Sequence, residues 1–147
     1  MRKTTVFIFI SLLLMSCSSS KDPYHELRKS TILVDALGTK NTKRIDQFMT
    51  AMSQQKSDEI GIVHYTVEGA PIVQELAFEG GDYIRYSYDN SRDKYGADYS
   101  ASTTCRSLEI RQSVEEDIHI SNYVLTGCDE IIGASVGDVI YVLTLRN

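Results

Sequence analysis

The stretch from Glu59 to Asn90, "EIGIVHYTVEGAPIVQELAFEGGDYIRYSYDN", constrains the fold more than any other part of the chain. It holds three runs of β-branched and aromatic residues, separated by "EGAP" and by "GG". Connections this short cannot carry a parallel crossover, which needs a dozen residues or more, so the runs are expected to form three antiparallel strands of a meander. In an extended strand alternate residues share a face. In the third run this puts Ile84, Tyr86 and Tyr88 on one side, apolar enough for a core, and Tyr83, Arg85 and Ser87 on the other. Tyr65 and Tyr123 become neighbours of this strand under some strand orders.

The flanking segments add to this frame. "TILVDALG" (31–38) reads as a short strand or an extended entry segment. In "NTKRIDQFMTAMSQQKSDE" the residues Ile45, Phe48, Met49 and Met52 recur at helical spacing, a single apolar stripe, with Asn41 or Thr42 as cap. "SRDKYGADYSAS" is a polar loop. "TTCRSLEIRQ" and "DIHISNYVLTGC" form a hairpin around "SVEE" with its turn at Glu115–Glu116, and "VGDVIYVLTL" is a last strand. The expected architecture is α+β: one helix packed on a mostly antiparallel sheet of about six strands. In topology alone this resembles cystatin-like folds.

The first residues report on location. Arg2 and Lys3 precede an apolar run from Val6 to Met15. That run is short of the about 20 residues a membrane span needs, and has the layout of a signal peptide over residues 1–16. "LMSC" (14–17) is similar to the lipobox of bacterial lipoproteins, in which the cysteine thiol takes a diacylglyceryl group. Cys17 is therefore the expected lipidation site (two or three acyl chains, palmitate among them), residues 17–30 a flexible tether, and residues 31–147 a single domain. Acyl chains contribute about 0.8 kcal/mol per buried methylene, enough for stable anchoring by two or three. Cleavage leaves 13 basic and 20 acidic residues, a net charge of −7. Such a body is repelled by anionic headgroups and would hold to the outer face of the cell membrane through its lipid alone. With no basic stripe, nucleic acid is not an expected partner.

Cys105 and Cys128 remain. Outside the cytoplasm an even pair is most simply a disulfide; the alternative is two buried free thiols. Metal ligation by this pair lacks histidines at ligand spacing, and no metal or cofactor is expected. Catalytic signatures are missing: there is no G-x-S-x-G, no H-E-x-x-H and no P-loop, and His25, His64 and His119 stand in no catalytic spacing. No catalytic residue is assigned. Asp89, Ser91 and Asp93 alternate as calcium ligands do, but Lys94 and Ser100 occupy the positions where an EF-hand-type loop needs Gly and Glu. The candidate binding surface is Tyr83, Arg85, Asp89, Asn90, Asp93 and Tyr95.

The motifs "YT-EG-PI", "YDNS-D-YG", "TTC" and a later Cys, behind the lipobox, resemble domain-of-unknown-function family 4362, small bacillus-type lipoproteins. The matching positions are Tyr65, Thr66, Glu68, Gly69, Pro71, Tyr86, Tyr88, Asp89, Asn90, Asp93, Gly96, Cys105 and Cys128, with Ala70 departing where relatives often carry Asp. The resemblance implies an exported lipoprotein with a paired-cysteine α+β domain and supplies no catalytic residues. The expected role is a non-catalytic module of the cell envelope that binds a protein or cell-wall component. The alternatives are a small envelope hydrolase and a calcium-dependent binder. Replacing Cys17 with Ser is expected to release the protein from the membrane fraction or to stall its processing; an unchanged membrane fraction would overturn lipidation.

Overall fold

A computed structural model describes residues 30–96 and 98–146. The signal segment, Cys17 and the tether up to residue 29 lie outside the described residues. Among the described residues no helix is long and apolar enough to cross a membrane.

The meander forms as its turns dictate. Strands β3 (Asp58–Tyr65), β4 (Pro71–Phe78) and β5 (Ile84–Asp89) pair antiparallel in order and continue into β6 (Ser100–Cys105). Ahead of them "TILVDALG" bends back on itself. It gives β1 (Thr31–Asp35) and β2 (Gly38–Lys40), an antiparallel hairpin in place of the single strand expected. The sheet order is β2-β1-β3-β4-β5-β6, and β1 runs parallel to β3. The helix α1 (Lys43–Ser53) lies between β1 and β3 in the chain and is long enough to return it for a parallel pairing.

The expectation of one sheet needs correction. The last three strong β segments form a second sheet of four strands, β7 (Ser107–Glu115), β8 (Ile118–Thr126), β9 (Ser135–Val136) and β10 (Val139–Arg146), in the order β7-β8-β10-β9. The molecule is thus richer in β structure than a helix on a single sheet. The reason lies at Arg106. Cys105 makes the last pair of the first sheet, with Ile84, and Ser107 makes the first pair of the second, with Thr126. One residue between the two ladders turns the chain from one layer into the other.

Both layers and the helix share one core. On the first sheet Ile60, Leu76, Tyr86 and Thr103 form a cross-strand row, and Phe78, Ile84 and Cys105 the next. Ile45 and Phe48 of α1 pack here fully buried, with Leu108, Leu125, Ile140, Val142 and Leu143 from the second sheet. Met49 and Met52 complete the helix stripe, partly buried. Three hydrogen bonds fix the helix. The Arg44 guanidinium donates to an Asp58 carboxylate oxygen at 2.5 Å and to the Glu59 carbonyl at 2.8 Å, and the Tyr123 hydroxyl donates to Asp46 at 3.4 Å. Tyr123 therefore belongs to the second layer, against the helix, and does not neighbour β5. Thr42 is the N-cap residue and makes no side-chain capping bond, and the Asn41 amide donates to the Thr31 carbonyl.

The connection between β8 and β9 meets the first sheet closely at Gly133, which has φ of +68°. A Cβ there would lie 2.6 Å from Cδ2 of the Tyr88 ring and 3.0 Å from the Tyr86 hydroxyl oxygen. Both the backbone conformation and the space exclude a side chain. Gly133→Ala is expected to lose about 2 kcal/mol or more of stability, read as a lower denaturation midpoint at unchanged slope.

Candidate functional site

The cysteine pair follows from the register of the second sheet. The β7–β8 turn is the two-residue type with Glu116 and Asp117 at φ of +49° and +68°. It lies one residue later than the expected Glu115–Glu116, and this shift removes the need for a bulge near Gly127. Continuing the pairing of Ser107 with Thr126 by two residues places Cys105 opposite Cys128, and the two form a disulfide. Arg106 between them donates its backbone N–H to the Thr126 carbonyl. Closing a loop with a sequence separation of 23 restricts the unfolded chain, worth about 3 kcal/mol in the chain-entropy description.

The six residues of the expected binding surface fall into two groups. Tyr83 is 56% exposed and Arg85 is exposed and paired with Glu79 at 2.9 Å, both at the start of β5. Asp89 closes its other end, and Asn90, Asp93 and Tyr95 follow in the loop beyond. At about 3.3 Å per residue the six positions from Tyr83 to Asp89 span about 20 Å, so no small ligand touches both groups. The facing of β5 is as expected: Ile84 and Tyr86 are buried, Tyr88 is half-buried, and Arg85 faces outward.

The loop after β5 is closed by its own polar side chains. Asp89 accepts the Ser91 N–H at 2.8 Å, Asn90 Oδ1 accepts the Tyr99 N–H at 2.9 Å, and Asp93 accepts the Tyr95 N–H at 3.1 Å. The Ser91 hydroxyl and backbone hold the Asp89 carboxyl below its ordinary pKa. Tyr99 folds back to the Tyr88 ring, with centroids 6.0 Å apart. Asp89 and Asp93 thus spend carboxylate oxygens on backbone N–H groups, and among the described residues no cluster of three or more His, Cys, Asp or Glu is placed to hold a metal ion.

Around Tyr83 the surface is concave. A cleft of about 400 Å³ runs between the end of α1, the β4–β5 turn and the corner at Arg106. Met49, Met52, Phe78 and Leu108 line it, with Tyr83 and Arg106 among its polar-tipped residues. The turn is held to the helix by Gln55. This residue adopts φ of +55° just past the helix, where the Gln55 and Lys56 N–H groups reach back to the Met52 and Ala51 carbonyls. Its side-chain carbonyl then accepts the Gly81 N–H at 2.9 Å. A helix termination signal without glycine hid this arrangement in the sequence.

The structure also brings forward His64, which sequence spacing left without a role. Its Nε2–H donates to the Val142 carbonyl at 3.2 Å. That carbonyl is offered by a β-bulge: Tyr141 pairs with Val124 and Leu143 with Tyr123, leaving Val142 unpaired in the ladder.

Residues 29–123 match the family described as domain of unknown function (DUF4362). The chain belongs to this family. The matched span covers the whole first sheet, the helix, β7 and the first part of β8, so the DUF4362 match stops short of Cys128 and β10. No curated protein and no solved structure is significantly similar to the chain.

Burial lowers the His64 pKa below its ordinary value of 6.5, against the opposing pull of the Val142 carbonyl. The folded domain resists a proton that the unfolded chain accepts, so stability is full above the ordinary value and falls as pH drops through it. Asp35 and Asp89, held below 3.8, act only at far lower pH. Thermal melts are expected to show a loss of stability between about pH 7 and 5 that His64→Gln flattens, since Gln keeps the donor without titrating. An unchanged pH profile in that variant would contradict the assignment.

Proposed function

We propose that this DUF4362 protein is a lipid-anchored, extracytoplasmic binding module of the cell envelope, without catalytic activity of its own. The observation that carries the reading is Tyr83, exposed at the mouth of the cleft lined by Met49, Met52, Phe78 and Leu108. Exposed Tyr supplies large contact area at low conformational cost, and Met side chains adapt their shape to what enters. Arg106 at the same cleft adds a charged hydrogen-bond donor. A partner fits this surface by inserting an apolar or aromatic side chain, as an envelope protein presents from a loop or strand. The lipobox-like "LMSC" and the Cys105–Cys128 bridge support the compartment, since structural disulfides persist where the environment is oxidising. Anchored through Cys17, the domain would face outward from the membrane on a short tether.

A photo-crosslinking amino acid at Asp82, beside Tyr83, is expected to capture a discrete partner on intact cells. Tyr83→Ala should abolish capture while the domain keeps its melting temperature. The reading fails when no discrete adduct forms, or when the same adduct persists after Tyr83→Ala.

A further inference from the structure

A second cleft, of about 420 Å³, opens between the sheets at the end opposite Tyr83. Its walls are Val34 and Ile72 from the first sheet, Leu143 from the bulged part of β10, and Tyr88. A volume of this order sits at the lower end of what small-molecule sites offer.

One polar side chain marks it as more than a packing gap. Gln74 lines the cleft yet is only 3% exposed, on a central strand of the first sheet. Its carbonyl oxygen accepts the Tyr86 hydroxyl at 3.1 Å, while its amide nitrogen meets no acceptor among the described residues and keeps access to solvent through the cleft. Amide N–H groups that open onto a cleft take their acceptor from whatever fills it. Water can serve, and so can a ligand oxygen.

The lining also selects by charge. It includes no Lys, Arg, Asp or Glu. His64, the one residue there that titrates near neutrality, is held neutral by burial. An ionised ligand would shed its water and meet no counter-charge, which disfavours it strongly over a neutral one.

From the idle Gln74 amide and the uncharged apolar walls we infer a binding site for a neutral amphipathic small molecule. Its apolar body lies between Ile72, Leu143 and Tyr88, and its amide or carbonyl oxygen accepts from Gln74. The site is separate from the Tyr83 cleft and stands or falls independently of it.

Benzamide and benzoate, matched in shape and different in charge, serve as probes. Titrated at pH 7 into isotope-labelled full-length protein in lipid nanodiscs, benzamide is expected to shift the Gln74 side-chain amide signals and the Leu143 backbone signal along a saturating curve. So small a molecule binds at best in the millimolar range or somewhat tighter, so the titration runs to about 10 mM. Benzoate should leave these signals in place. Ile72→Trp, which fills the cleft, should abolish the benzamide shifts; Thr144→Trp, from the opposite wall, repeats the block if the first variant does not fold. Gln74→Met, which keeps the volume and removes the donor together with the acceptor of the Tyr86 hydroxyl, should still fold and should weaken binding by about tenfold, in line with the loss of one hydrogen bond to the ligand. The inference is overturned by absent or linear shifts, by equal shifts with benzoate, or by shifts that survive a folded blocking variant.

Discussion

The corner at Arg106 is the constraint on which both layers depend. Up to Cys105 the chain is the edge strand of a six-stranded sheet, and from Ser107 it is the edge strand of another. Because the strands are continuous through one residue, the angle between layers is set there, and with it the depth of the core that Phe48, Leu76, Tyr86 and Leu125 fill. The disulfide to Cys128 locks this corner from the side by tying the return strand β8 to the end of β6. The cross-link works by restricting the unfolded chain, and among the described residues it sits where the chain passes from one layer to the other.

Much of the first sheet was legible because its information is local. Turn residues at "EGAP" and "GG" and the period-2 pattern of β5 specify pairing between neighbours in sequence, and the helical stripe Ile45–Phe48–Met49–Met52 specifies one buried face. The second sheet was not legible. Strands such as "DIHISNYVLT" and "VIYVLTL" carry the same pattern whichever sheet they join, and nothing in "CRS" announces a change of layer. The parallel pairing of β1 with β3 was hidden for a similar reason: the pattern of a strand says which face is buried, not which way its neighbour runs.

The candidate sites divide along the same line. Tyr83 and Arg85 were readable as outward residues from alternation alone, whereas the cleft beside Tyr83 needed the helix end, the β4–β5 turn and the corner to be brought together in space. His64 and Gln74 acquire their surroundings from β5 and β10, the latter nearly 80 residues away from His64 in the chain by its hydrogen bond to Val142. A side chain whose partners are supplied by a bulge in another layer leaves no trace in local spacing. The disulfide was readable in kind, from the compartment the sequence leads one to expect, while its alignment depended on a turn placed one residue further along.

The loop following β5 carries a kinetic consequence. Asp89, Asn90 and Asp93 each bond a backbone N–H within it, and Tyr99 closes it against Tyr88. The described residues of this loop, already bonded to one another, lose little conformational freedom when another surface meets them. Encounters at this end of the molecule should then proceed as rigid docking, at rates set by diffusion and orientation, without a slow ordering step after contact.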